Sequence, residues 1–130
     1  ATTQPASPVA SPGPSPWVTD APITVARSEL AAAVVNGIVY VCGGFGGGQL
    51  VHAFDPASSA WSPAPDMPYD AHHLGVAALG GRVIVAGGYT ADEWTAMDQA
   101  FAWDPAGSTG WEAIGPLPSA RGAFAMAVIG

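Results

Sequence analysis

His72-His73 and the run Asp92-Glu93-Trp94 are the residues whose types and spacing best lend themselves to chemistry. Histidines carry protons at neutral pH or ligate metals. Two acids beside an indole offer hydrogen-bond acceptors next to a stacking face, an arrangement that suits a sugar or a basic peptide. Tyr89 opens the loop that carries these acids, and Glu29 stands two residues after Arg27. Each feature also has a plainer reading. The loop from Tyr89 to Asp98 can be a solvated acidic loop with Trp94 folded back on its own sheet. Adjacent strand residues point to opposite faces, so at most one of His72 and His73 is expected to face a common site. A metal site would have to recruit Tyr69, Tyr89 or His52, and nothing in the spacing fixes one. Structural roles are therefore favoured for the histidines, most strongly for His52. No nucleophile–base pair and no Cys/His cluster is present. Residues 43–48 (GGFGGG) resemble a phosphate loop only superficially, because no helix-forming sequence and no lysine follow. No catalytic residue, metal or cofactor is expected.

These residues are set on an internal repeat. Val41-Cys42-Gly43-Gly44-Phe45 recurs as Val85-Ala86-Gly87-Gly88-Tyr89, and Phe54-Asp55-Pro56-Ala57 recurs as Trp103-Asp104-Pro105-Ala106. Trp61 recurs as Trp111, and Met67-Pro68 as Leu117-Pro118. The offset is 44 residues at the glycine pair and 49 to 50 from Asp-Pro onward. The extra residues fall between Tyr89 and Gln99, in one longer loop. Trp17 precedes Arg27 by ten residues, as Trp111 precedes Arg121.

Four strands are expected in each repeat. The first is small and apolar (residues 30–35 and 74–79) and ends in Asn36-Gly37 or Gly80-Gly81, strong two-residue hairpin signals. The second (38–41 and 83–86) is continuously apolar, as for a strand covered on both faces. It ends in paired glycines, which suit close backbone approach. The third carries alternate large residues, His52 and Phe54 or Phe101 and Trp103, and closes in Asp-Pro, where Asp caps a turn. The fourth is short, built on Trp61 or Trp111, and ends in Pro-rich sequence that suits an edge. No ten-residue stretch free of Gly and Pro shows a helical period.

Composition narrows the function classes. The chain has 130 residues, with 17 Gly and 13 Pro, and is half hydrophobic. Lysine is absent; Arg27, Arg82 and Arg121 face ten acids, for a net charge of −7. Nucleic-acid affinity rests on basic residues neutralising phosphates, so no nucleic-acid partner is expected. Apolar runs are short and broken, so no membrane span is expected. The single cysteine, Cys42, lies in an apolar run and reads as a small buried residue. Residues 1–16 are rich in Pro, Ser and Ala and read as a disordered linker. Such tethers often follow a removed signal peptide or a lipid-anchored cysteine, so an exported, extracellular or cell-surface protein is expected.

The glycine pair after an apolar strand, an aromatic-Asp-Pro about ten residues on, a Trp some six residues later, and an Arg opening the next repeat resemble the kelch repeat. The resemblance covers residues 17–130, with Gly43, Gly44 and Trp61, and Gly87, Gly88 and Trp111, at the characteristic positions. Ala71 departs from it, standing where the ruler calls for Arg, which costs one typical contact. The resemblance implies an all-β fragment of a kelch-type β-propeller. Its two full four-stranded blades would cover about 28–65 and 72–115, with one flanking strand at each end, at 17–19 and 122–129. Two blades are too few to close a ring, so further blades from the rest of the chain or another subunit are expected. By resemblance, ligands meet the face formed by the inter-blade loops (20–27, 66–73, 118–121) and the loops between second and third strands (45–49, 89–98). The ligand-binding candidates are Arg27, Glu29, His72, His73, Tyr89, Asp92, Glu93, Trp94 and Arg121. The recurrence of Arg27 at Arg121 also fits a structural job, hydrogen bonding to carbonyls between blades. The expected function is a non-catalytic module that binds a protein or a glycan. The alternative is part of a carbohydrate-active kelch enzyme, similar to a sialic-acid mutarotase or to galactose oxidase.

Overall fold

Asn36-Gly37 and Gly80-Gly81 take positive φ at both positions (+52° and +82°; +59° and +78°). That is the mirror-image two-residue turn whose twist matches the strands on either side. A computed structural model of the chain describes residues 17–90 and 93–129; the linker expected at 1–16, and Asp92, lie outside the described residues. Around these turns run eight strands: β1 (Ala31–Val35), β2 (Ile38–Cys42), β3 (Val51–Asp55), β4 (Ala60–Ala64), β5 (Gly75–Leu79), β6 (Arg82–Ala86), β7 (Ala100–Trp103) and β8 (Glu112–Ile114). They form two four-stranded sheets, β1-β2-β3-β4 and β5-β6-β7-β8, antiparallel throughout. No helix among the described residues is long and apolar enough to cross a membrane.

The two sheets are built alike. Val41 pairs with His52, as Val85 pairs with Phe101. After the third strand the Asp carboxylate accepts the amide two residues on, Asp55 from Ala57 at 2.8 Å and Asp104 from Ala106 at 2.9 Å. The indole N–H of Trp61 donates to the Ala21 carbonyl at 2.8 Å, and that of Trp111 to the Pro65 carbonyl at 2.9 Å. Each fourth strand is thus tied to the segment that leads into its own blade.

The core lies where the sheets meet. Val35, Tyr40, Cys42 and Val51 of the first sheet, Val76, Val83, Val85 and Trp103 of the second, and Met67, Tyr69, Ala71 and Leu74 of the connection form one buried cluster. Tyr40 and Trp103 meet edge to face at 5.2 Å, a favoured aromatic geometry. Cys42 is fully buried, and burial pushes its thiol up to about 12. A thiol so seldom ionised is inert, as its apolar neighbours imply.

The expected flanking strands at 17–19 and 122–129 lie outside the eight ladders of the described residues. Residues 122–129 instead lie against the second sheet, where Phe124 and Met126 close over Gly75.

The glycine pairs hold the blades together. Gly43 and Gly44 have φ of +62° and +97°, and Gly87 and Gly88 have +58° and +99°. A Cβ on Gly43 would stand 2.5 Å from the Ala71 carbonyl oxygen, and one on Gly87 would stand 2.5 Å from that of Arg121. The same oxygens accept the amides of Gly44 and Gly88, both at 2.9 Å. Only glycine allows this approach.

Candidate functional site

The loops after β2 and β6 are drawn against the segments that precede β1 and β5. Ser28 bridges to Phe45, and His72 bridges to Tyr89. The expected site residues therefore divide into those that build this face and those exposed on it.

Arg27 belongs to the building. Its Nη1 donates to the carbonyls of Leu50 at 2.9 Å and Gly43 at 3.3 Å, and its Nη2 donates to His52 Nδ1 at 2.7 Å. A guanidinium only donates, so His52 Nδ1 is a lone pair and the ring is neutral with its proton on Nε2. Burial, then the Arg27 charge, holds His52 below its ordinary value, with Asp66 pulling the other way. Arg27 is itself lowered by burial. Arg27 thus binds carbonyls within its own blade, where contacts between blades were expected, and its buried Nε has no partner among the described residues.

At Ala71, where the repeat calls for Arg, the second blade uses a different donor. The Tyr69 hydroxyl reaches the Gly87 carbonyl, the counterpart of Gly43, at 3.1 Å. Tyr69 then rests on Phe101 at 5.5 Å, where Arg27 had bonded His52. An Arg–His pair in one blade is a Tyr–Phe pair in the next, with the same carbonyl capped. Arg121 is exposed, and its guanidinium donates to Ser119, through the carbonyl at 3.2 Å and Oγ at 2.6 Å.

His72 and His73 come together, contrary to the expectation that they face apart. His73 has φ of +54°, outside the strand region, and that turn cancels the alternation. Their Nδ1 atoms are 2.7 Å apart. His72 Nε2 contacts the Thr90 carbonyl at 3.2 Å, and His73 Nε2 contacts Glu29 Oε2 at 3.1 Å. Three more rings enclose them. Phe45 stacks on His72 at 3.9 Å, Tyr89 lies 5.9 Å from each histidine, and Trp94 lies 4.7 Å from His72 and 5.2 Å from His73. Trp94 is folded back, but over both blades, since it also reaches Phe45 at 5.8 Å, and its ring remains 56% exposed. Glu93 is exposed beside it. Among the described residues no group of three or more His, Cys, Asp or Glu is placed to hold a metal.

Beside the ring cluster opens a pocket of about 470 Å³, walled by residues 44–50, Asp66, Asp70 and His72. Asp66 and Asp70 were not among the expected site residues. The signal lay in the repeat itself, where their counterparts are Pro116 and Ala120. Two positions that are uncharged in one repeat are acidic in the other. With the Phe45 ring and the loop carbonyls, they give the pocket hydrogen-bond acceptors and negative charge.

Stacked four-stranded antiparallel blades, locked by paired glycines and tied by a fourth-strand tryptophan, define kelch architecture. The family model described as Kelch motif matches residues 26–68. Kelch-like protein 35 of Mus musculus is 33% identical over 107 residues, covering 79% of this chain and 17% of that protein. Kelch-like protein 23 of Mus musculus is 31% identical over 86 residues, covering 64% and 15%. Kelch-like ECH-associated protein 1B of Danio rerio is 29% identical over 79 residues, covering 55% and 14%. The chain belongs to the kelch-repeat family, and it spans less than a fifth of the length of these curated relatives.

Proposed function

We propose that this chain is a non-catalytic kelch interaction module, part of a larger propeller, that binds a protein partner on the loop face. A basic side chain of the partner seats in the pocket between residues 44–50 and Asp66 and Asp70. The observation that carries this reading is the pocket's chemistry, two carboxylates and an aromatic wall on a chain of net charge −7. Such a surface attracts a cation and repels an acid. Kelch-like relatives support a protein partner, one of them being by its name an ECH-associated protein. Export of the chain belongs to the same reading and is supported by the Pro/Ser/Ala-rich composition of residues 1–16.

The test is titration with an arginine-bearing peptide and with its glutamate counterpart, at two salt concentrations. The arginine peptide binds, more weakly at high salt, and the glutamate peptide does not. The double change Asp66→Asn, Asp70→Asn weakens binding about tenfold, since two partly exposed charge contacts are each worth ~0.5–1 kcal/mol. Equal affinity of the double variant and the parent overturns the reading.

A further inference from the structure

The contacts of His72 and His73 close only at one proton count. The Thr90 carbonyl oxygen can only accept, so His72 Nε2, at 3.2 Å, donates to it. The two Nδ1 atoms, 2.7 Å apart, need one proton between them, carried by either ring. The Glu29 carboxylate, 3.1 Å from His73 Nε2, also only accepts, so that nitrogen donates as well. The pair therefore holds three ring protons and one positive charge, shared between His72 and His73. Remove one proton and every remaining arrangement breaks a contact. His73 turns a lone pair on Glu29, or His72 turns one on Thr90, or the two Nδ1 lone pairs oppose each other.

The ends of this relay belong to different blades. Glu29 lies in the segment leading into β1, and Thr90 lies in the long loop after β6, which carries Trp94. His73 also donates its amide to the Glu29 carbonyl at 2.9 Å. Glu29, His73 and Trp94 all have φ between +51° and +54°, a conformation non-glycine residues seldom keep without supporting contacts.

We propose that His72 and His73 form a proton-operated clasp: one proton shared between their Nδ1 atoms fastens the segment at Glu29 to the Trp94 loop, and its loss releases one end. Among the described residues, the ionisable groups around the pair are Glu29 from the segment before β1, Tyr89 and Glu93 from the loop after β6, and Asp66 and Asp70, which line the pocket with His72. The loop after β2 contributes only the Phe45 ring, and the segment after β8 contributes a backbone contact, Ala123 N–H to the His73 carbonyl. Arg27 and Arg121 are engaged elsewhere. The effect on a partner rests on the pocket reading above. Opening the clasp removes a positive charge beside an acid-lined pocket, so a basic partner binds more tightly once the proton is lost.

The clasp is testable without any ligand, so its failure is separable from failure of the pocket reading. In the intact protein, ring ¹⁵N signals of the histidines are assigned by single replacements and followed with pH. The expected result is both Nε2 atoms protonated and one further proton shared between the two Nδ1 atoms, the two rings shifting in one shared step as pH rises. Glu29→Gln moves that step to lower pH for both rings and leaves His52 unmoved. Rings that titrate independently of each other, or a shared step that Glu29→Gln leaves in place, overturn the clasp. Should the variant unfold, coupling of the two rings in the unaltered protein decides alone.

Discussion

A buried carbonyl needs a donor, and the two blades supply one with different residues. Arg27 serves Gly43 and Tyr69 serves Gly87. Burial raises the Tyr69 hydroxyl well above its ordinary range, which keeps it a donor at neutral pH. Tyr69→Phe deletes one oxygen and leaves the Gly87 acceptor without this partner, at a cost of ~1–2 kcal/mol, readable as a lower urea midpoint with unchanged slope. An unchanged midpoint would mean that Gly87 finds water instead. His52 gives the pH counterpart. Its folded value is lowered from 6.5, first by burial, so below that value the unfolded chain binds the extra proton more readily than the native one. Stability is full above about pH 6.5 and falls as pH drops from there toward the lowered folded value. His52→Phe, which copies Phe101, removes this acid-side slope. Urea midpoints at pH 7.5 and 5.5 should differ more for the parent than for the variant, and equal differences would sink the assignment.

The blade is the scale at which glycine decides. Gly43 and Gly87 combine a positive φ with a carbonyl 2.5 Å from where a Cβ would stand, Gly81 has only the positive φ (+78°), and Gly115 has neither. Alanine should therefore be graded across them: about 3 kcal/mol or more at Gly43 or Gly87, ~1 kcal/mol at Gly81, and near zero at Gly115. Thermal or urea unfolding of the four variants gives the order, and a mild Gly43→Ala would show that the blades can shift apart cheaply. These glycines, the hairpin turns and the strand tryptophans were legible in the sequence because one repeat annotates the other. Strand boundaries came within a residue or two for the same reason. What the repeat could not show is where the copies differ. Alternation put His72 and His73 on opposite faces, and a φ of +54° at His73 brought them together. Tyr69 stood two places before the missing Arg, so a position-by-position reading saw a lost contact instead of its replacement. Asp66 and Asp70 stand in a loop that the resemblance puts on the ligand face, but only the fold sets both against the Phe45 loop as walls of one pocket.

Across the whole molecule, the core sits between two sheets, and each sheet has another face. On the second sheet a groove of about 300 Å³ is lined by Ala77, Leu79, Ile84 and Ile114 and by residues 126–129. Leu79 and Val128 are 56% and 46% exposed on it, and on the first sheet Val34 is 56% exposed. Covering some 400 Å² of apolar surface is worth about 10 kcal/mol, comparable with the stability of a whole domain. A ring of blades covers both faces at once, and two blades leave both open. Sedimentation and limited proteolysis should therefore separate this 130-residue chain from a version that carries further blades. The longer protein should be monodisperse and resistant, while the shorter one self-associates or is cut. The changes Leu79→Glu and Val128→Glu sharpen the comparison. In the short chain they should suppress self-association at little cost, because both side chains face water there. In the longer protein they should destabilise by several kcal/mol, because a charge would then be buried between blades without a partner. A short chain that is already monodisperse and resistant would place the missing stability in an assembly between copies, and the loop face would have to be reconsidered as part of that interface.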